Sequence, residues 1–168
     1  MIRFHCLVVI MALLWPSGSI SVSKEFLITG NSIGLVQLGQ TKQQIFRSYK
    51  NYTVRQVDLL LEGLPSPALQ IFRGKELLLT AEFEKATVYR ISTRNPKYAT
   101  ARGIRVGSSF GEAKRRLGEP VSIGQGEDGV YAVVALKSGE LSLRLAADSS
   151  TMLPASKTKI VEILVIRR

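Results

Sequence analysis

Apolar and polar positions alternate along much of the chain, which is typical of β-strands with one buried face. In the clearest run the apolar positions are Leu77, Leu79, Ala81 and Phe83. Together with this run at 76–83, the pattern predicts strands at 54–61, 68–73 and 86–93. Residues 73–75 predict a hairpin turn. Residues 65–67 are excluded from a central strand because Pro65 and Pro67 cannot donate a ladder hydrogen bond.

The last part of the chain shows the same kind of pattern. It predicts strands at 120–123, 130–136, 141–145 and 160–166. Residues 137–139 predict a second glycine-containing turn, and residues 147–159 predict a longer polar loop. Residues 124–129 match a G-x-G-x-x-G string, but a strand follows the glycines where a nucleotide site needs a helix, so we expect a hairpin loop.

Two predicted helix starts, at Thr41 and Ser109, lie 68 residues apart in the chain. Thr41 with Gln44, and Ser109 with Glu112, each fit a capping box, in which the hydroxyl and the side chain three residues later satisfy free helix amides. A short amphipathic helix follows each one. Two coincident capping boxes at one offset predict an internal duplication.

These elements together predict an α+β fold. We expect two tandem repeats, each a short helical segment packed on a roughly four-stranded antiparallel sheet. The first repeat covers residues 24–93 and the second covers residues 94–168. A linker at about 94–102 joins them.

The first residues predict a signal peptide spanning 1–23. Arg3 precedes an apolar stretch, which ends before small residues at the predicted cleavage point after Ser23. Cleavage after Ser19 is an alternative, as is an N-terminal core helix. The apolar stretch is about ten residues long, against the roughly 20 needed to span a bilayer, so no membrane span is expected. The protein is expected to be periplasmic or secreted.

Chemically reactive side chains are concentrated in this predicted signal peptide. His5 and Cys6 are the only histidine and the only cysteine. Their removal excludes Ser-His-Asp and Cys-His catalysis, His- or Cys-ligated zinc and disulfides. We therefore expect no catalytic residue, no metal site and no cofactor, and a protein that is not an enzyme.

The chain is strongly basic, with a formal net charge of +10 that loss of Arg3 lowers by one. Such a field favours an anionic partner, either an envelope protein or an anionic surface component. Nucleic acid is not expected for an exported protein. The alternative is that the charge only keeps the protein soluble.

Basic residues are densest between Arg90 and Arg116, where Glu112 is the lone acid. The residues predicted to bind a partner are Arg94, Lys97, Tyr98, Arg102, Arg105, Lys114, Arg115 and Arg116. Guanidinium groups suit carboxylates and phosphates, and the helix start at 107–109 is expected to add backbone amide donors. The alternative is an ordinary solvated helix face.

A family resemblance rests on Gly107, Ser109 and Glu112, followed by Leu117-Gly-Glu-Pro120. This string resembles the repeat of the β-lactamase-inhibitor-protein-like fold, which small outer-membrane-assembly lipoproteins share. The resemblance implies a tandem helix-on-sheet module that binds other proteins. The disulfides of the inhibitors and the lipidated cysteine of the lipoproteins are both absent here, so neither specific activity is carried over.

The sequence therefore predicts an exported, non-catalytic binding protein of the bacterial envelope that acts through a basic surface. A first alternative is an inhibitor of an exported hydrolase. A second is a hydrolase using Glu82 and Glu84, although no apolar pocket or aromatic platform accompanies that pair. The partner and the oligomeric state stay open.

Overall fold

The computed structural model describes residues 22–61, 63–126, 128–147 and 154–167. Residues 1–21 of the predicted signal peptide, and residues 148–153 of the predicted polar loop, lie outside the described residues. In the described part of the chain, no helix has the length and apolar character needed to cross a membrane.

The described chain contains twelve β-strands, two α-helices and one 3₁₀ helix, Lys24–Phe26. The helices are α1 (Lys42–Ser48) and α2 (Phe110–Leu117). A small sheet contains β1 (Leu27–Ile28), β2 (Ser32–Ile33), β3 (Val36–Gln37) and β8 (Ala99–Thr100). The large sheet contains β4 (Thr53–Leu61), β5 (Leu64–Arg73), β6 (Glu76–Glu84), β7 (Thr87–Thr93), β9 (Ser122–Gly126), β10 (Gly129–Leu136), β11 (Gly139–Leu145) and β12 (Ile160–Ile166).

The predicted fold class, an α+β tandem of helical segments on roughly four-stranded sheets, is wrong. The protein is mostly β, and its main element is one antiparallel sheet of eight strands in the order β4-β5-β6-β7-β12-β11-β10-β9. The strands β7 and β12 pair with each other, with Ile91 opposite Val165 and Thr93 opposite Ile163. This pairing satisfies backbone groups that two separate four-stranded sheets would each leave exposed at an edge.

Strand β5 begins earlier than the sequence predicts and includes Pro65 and Pro67. Both prolines lie opposite residues of β4, whereas pairing of β5 with β6 begins only at Ala68. The prolines therefore occupy a stretch with a single neighbouring strand, where a missing amide hydrogen is tolerated. The prediction that residues 65–67 lie outside a central strand was wrong, because a central strand can have a neighbour on one side only near its end.

Both predicted capping boxes are confirmed. The Thr41 hydroxyl accepts from the Gln44 amide, and the Gln44 side chain accepts from the Thr41 amide at 2.8 Å. At α2, the Glu112 amide donates to the Ser109 hydroxyl at 3.2 Å, and the Ser109 amide donates to the Glu112 carboxylate at 2.9 Å. Local hydrogen bonds of this kind define a helix start almost independently of the rest of the fold.

The core lies on one face of the eight-stranded sheet. A row of apolar residues crosses the sheet on this face: Leu69, Ala81, Ile91 and Val165. These side chains belong to the same buried cluster as Ile45 of α1 and Leu117 of α2. Because side chains alternate along each strand, the neighbouring residues Gln70, Thr80, Ser92 and Leu164 point to the opposite face.

The predicted linker at 94–102 is not an exposed connection. It contains β8, which pairs in parallel with β1 of the small sheet. Asn95, Tyr98 and Thr100 are buried within it. The segment that follows the first four strands of the large sheet is therefore packed into the body of the protein.

Candidate functional site

The eight predicted binding residues do not form one surface. Three of them form ion pairs with carboxylates: Arg94 with Glu162 at 3.3 Å, Lys97 with Glu76 at 2.5 Å and Lys114 with Glu119 at 2.9 Å. Glu162 is shared with Arg144, which lies at 2.8 Å. A cation paired in this way contributes little to a long-range positive field. These three residues are therefore weaker candidates for recognising an anion than the sequence indicates.

Tyr98 lies in the core and not on the predicted surface. Its side chain is fully buried, and its ring meets Phe26 edge-on with the ring centres 5.4 Å apart. Burial raises the pKa of Tyr98 well above its ordinary value. A partner at the surface cannot reach this ring in the folded protein, so the prediction for Tyr98 is wrong.

The remaining four residues are exposed arginines, which we call the arginine surface: Arg102, Arg105, Arg115 and Arg116. Within the described part of the chain, none of the four forms an ion pair with a carboxylate. The arginine surface combines the end of α2 with the loop that precedes this helix.

Two members of the arginine surface fix each other in place. The Arg102 guanidinium donates to the main-chain carbonyl of Arg116, and Arg116 Nη1 donates to the carbonyl of Arg102 at 3.3 Å. The Arg116 carbonyl lies in the last turn of α2, where a cation also interacts favourably with the helix dipole. The loop and the helix end are thereby held together.

The backbone amides at the start of α2 are not available to an anion, contrary to the sequence prediction. The Gly107 amide donates to the Ile160 carbonyl at 2.8 Å, and the Phe110 amide donates to the Thr158 carbonyl at 2.7 Å. The Ser109 amide is used by Glu112 in the capping box, and this bond lowers the pKa of Glu112. The positive potential here therefore comes from side chains and not from helix amides.

A second candidate site is a groove of about 400 Å³ on the sheet face opposite the core. We call it the sheet groove. Its polar lining consists of Gln70, Thr80, Glu82, Arg90, Ser92, Thr93, Arg94, Asn95 and Glu162, and its apolar lining consists of Leu59, Leu77, Leu78, Leu79 and Pro96. The charged members of the lining include both signs.

The carboxylates of the sheet groove are buried and paired. Glu82 is 1% exposed; Arg90 Nε lies 2.8 Å from one of its oxygens, and the Tyr89 hydroxyl donates to the other at 3.3 Å. Burial raises the pKa of Glu82, and the neighbouring Arg90 charge partly opposes this effect. Glu162 accepts from Arg144 Nε at 2.8 Å.

This arrangement does not resemble the acid–base pair of a glycosidase. Glu84, the second member of the sequence-based carboxylate pair, is 60% exposed and pairs with Arg167 at 3.5 Å, while Glu82 is buried. Glu82 and Glu162 both line the sheet groove, but each carboxylate is held by an arginine, Glu82 by Arg90 and Glu162 by Arg144. Among the described residues, no group of three His, Cys, Asp or Glu side chains could hold a metal ion.

The sequence interpretation missed the buried ion pairs on this face. A signal for them was present, because Glu162 is the lone acid in the apolar run 160–166 and Arg144 stands between Leu143 and Leu145. A charge inside an apolar strand must find a partner when the strand is buried. The alternation alone did not show that these two residues lie on neighbouring strands.

No protein-family model matches the chain, and no curated protein matches it either. Its fold is similar to the crystal structure of the uncharacterised protein YfeY from Escherichia coli, with a TM-score of 0.64 and 15% sequence identity over 84% of this chain and 99% of that chain. At this identity the likeness shows the fold alone, and the resemblance to the β-lactamase-inhibitor-protein-like repeat stays a prediction.

Proposed function

We propose that this protein is an exported, non-catalytic binding protein of the bacterial envelope, which recognises an acidic protein or another anionic envelope component. The observation that carries the proposal is the contrast among the predicted basic residues. Arg94, Lys97 and Lys114 each have a carboxylate partner, whereas the four residues of the arginine surface have none among the described residues.

The chemistry of the arginine surface supports recognition of carboxylates or phosphates. A guanidinium group presents several N–H donors in a planar fork and can bind two oxygens at once. Four such groups, none in ion-pair contact with a described carboxylate, also attract an anionic partner over several ångströms, in a manner that salt screens. Arg102 and Arg116 also hold the loop against the end of α2, whereas Arg105 and Arg115 are exposed and form no ion pair with a described carboxylate, so the binding role is proposed above all for these two.

The proposal is tested with two charge-matched double variants. In the first, Arg105→Glu and Arg115→Glu change the arginine surface without removing the contacts between Arg102 and Arg116. In the second, Lys50→Glu and Lys75→Glu make the same change of net charge at exposed positions on other elements. Circular dichroism verifies that both variants are folded, and retention on an isolated envelope fraction is measured at increasing salt.

We expect the arginine variant to be released at clearly lower salt than the wild-type protein, with the lysine variant much closer to wild type. Loss of retention to the same extent in both variants would mean that only net charge matters, and the proposal would be wrong. Retention unchanged in the arginine variant would also overturn it.

A further inference from the structure

A recessed pocket adjoins the arginine surface. Its volume is about 220 Å³, and Arg102 belongs to its lining. Its floor and walls include Ile28 from β1, Leu117 from α2, and Ala135 and Leu136 from β10. Ile28 and Leu117 are themselves buried members of the core, so the pocket opens directly onto apolar surface.

One wall of this pocket is built by a close approach of two loops. The Gly30 amide donates to the Ser138 hydroxyl at 2.9 Å. A Cβ atom on Gly30 would lie 2.6 Å from the backbone of Gly139, which is closer than real atoms pack. Glycine is therefore required at position 30, and the wall is held by backbone contacts. A preformed wall of this kind avoids the entropic cost of ordering a loop on binding.

The charged residues that line the pocket are all basic within the described chain. They are Arg102 and Lys137. Lys137 is exposed and forms no ion pair with a described carboxylate. Arg102 uses Nη1 on the Arg116 carbonyl, which leaves its other N–H groups for a ligand. The pocket thus combines an apolar floor with a cationic rim, whereas the sheet groove contains charges of both signs.

From this combination we infer that the pocket seats one aliphatic side chain of an acidic protein segment, with a neighbouring carboxylate of that segment bound by Arg102 and Lys137. The inference rests on the proposed function and specifies its partner as a protein. The volume suits a single side chain, and a recess accepts a group that protrudes from the partner. Binding to a lipid surface uses the opposite geometry, in which apolar side chains protrude from the protein into the bilayer.

The test uses displayed random seven-residue peptides, selected on the purified protein. The enriched sequences are then synthesised, together with forms in which the aliphatic residue is replaced by glycine, and their dissociation constants are measured. The protein is compared with Ala101→Phe, which adds an aromatic ring at an exposed loop position of the pocket lining, and with Val121→Phe, which adds the same ring at an exposed position outside the lining.

We expect enrichment of an aliphatic residue beside Asp or Glu, and about ten-fold weaker binding after the change to glycine, as loss of a buried aliphatic side chain predicts. Ala101→Phe should weaken binding by a similar factor, and Val121→Phe should not. Enriched peptides without an aliphatic residue, equal affinity of the glycine forms, or no effect of Ala101→Phe would each overturn the inference.

The failure of the inference can be told apart from the failure of the proposed function. If the pocket is not used but the arginine surface is, the glycine forms bind equally well and the Arg105→Glu, Arg115→Glu variant still loses retention on the envelope fraction. If both are wrong, that variant is retained like the wild-type protein. Vesicles containing anionic phospholipid provide a further arm: binding to them that Ala101→Phe abolishes would mean that the pocket serves a lipid and not a protein.

Discussion

The sheet groove and the arginine surface both contain arginine side chains, but only the arginines of the sheet groove are paired with carboxylates. In the sheet groove, Glu82 lies against Arg90, and Glu162 lies between Arg94 and Arg144. On the arginine surface no arginine is paired with a carboxylate of the described chain. The charges of the sheet groove are compensated by partners within the sheet, while the unpaired charges generate a field that an external anion can satisfy.

The difference follows from where each set of residues lies on the fold. Glu82 and Glu162 are on strands in the middle of the sheet, where burial makes an isolated charge very costly and so requires a partner. The arginines lie at a helix end and in a loop, where long side chains keep their charged ends in water. Position in the fold therefore separates structural charges from those available for binding.

The largest effect is expected from breaking the ion pair that joins β11 to β12. Glu162→Ala leaves the guanidinium of Arg144, which is 15% exposed, without its closest carboxylate. We expect a loss of about 2 kcal/mol in the free energy of unfolding, less than for a fully unpaired buried charge because Asp128 still lies 3.6 Å from Arg144 Nε. Urea denaturation followed by circular dichroism measures the change.

The matched control replaces both partners by apolar residues of similar size. The double variant Arg144→Met, Glu162→Leu should recover most of the stability lost by Glu162→Ala, since no unpaired buried charge remains. A double variant that is no more stable than the single one would mean that the packing of Glu162, and not its charge pairing, supports the sheet.

The next effect concerns pH and the buried carboxyl of Glu82. Burial raises its pKa above the ordinary value of 4.5, so the folded protein holds this proton more tightly than the unfolded chain. The resulting stability is present below pH 4.5 and is lost as the pH rises through the folded-state pKa. Relative to Glu82→Gln, the wild-type protein should lose stability over that range, with a slope of at most about 1.4 kcal/mol per pH unit.

This pH effect should have the opposite sign at α2. The capping hydrogen bonds lower the pKa of Glu112, so its contribution is present above pH 4.5 and is lost as the pH falls through the folded-state pKa. Unfolding curves of Glu82→Gln and Glu112→Gln between about pH 3 and 7 separate the two effects. A stability difference between wild type and Glu82→Gln that does not vary with pH would contradict the assignment of Glu82 as a buried carboxyl with a raised pKa.

The local elements of the fold could be predicted from the sequence, whereas the long-range pairings could not. The capping boxes at Thr41 and Ser109 depend on residues within one helical turn, so the sequence pattern contains them directly. The pairing of Ile91 with Val165 joins distant parts of the chain, and alternation within a strand does not say which strand lies beside it. The single large sheet was missed for this reason.

The candidate site was predicted only in part, for a related reason. A count of basic residues between Arg90 and Arg116 shows a cluster in the sequence, but it does not show which members meet a carboxylate from another element, as Arg94 meets Glu162. Tyr98 was misplaced because an aromatic side chain has an apolar body and a polar tip, and both surface and core positions suit it.

A smaller effect is expected from the cap of the helix that carries Arg115 and Arg116. Ser109→Ala removes the acceptor of the Glu112 amide and should cost about 1 kcal/mol in unfolding free energy, as is usual for a helix N-cap. Thr41→Ala, at the equivalent position of α1, should cost a similar amount. Only Ser109→Ala should also weaken retention on the envelope fraction, since only α2 contributes to the arginine surface; equal weakening by both variants would contradict this assignment.

The smallest effect on stability is expected at the arginine surface itself, where the charges have no carboxylate partner in the described chain. Arg105→Gln combined with Arg115→Gln should change the free energy of unfolding by no more than about 0.5 kcal/mol, because exposed side chains without partners contribute little. At low salt the change should be a slight gain, since repulsion among the arginines is relieved. Arg144→Gln, which removes the closest partner of Glu162 beside the sheet groove, should be clearly destabilising. If the double glutamine variant is instead as unstable as Arg144→Gln, the arginines support the fold, and the distinction between paired structural charges and unpaired binding charges does not hold.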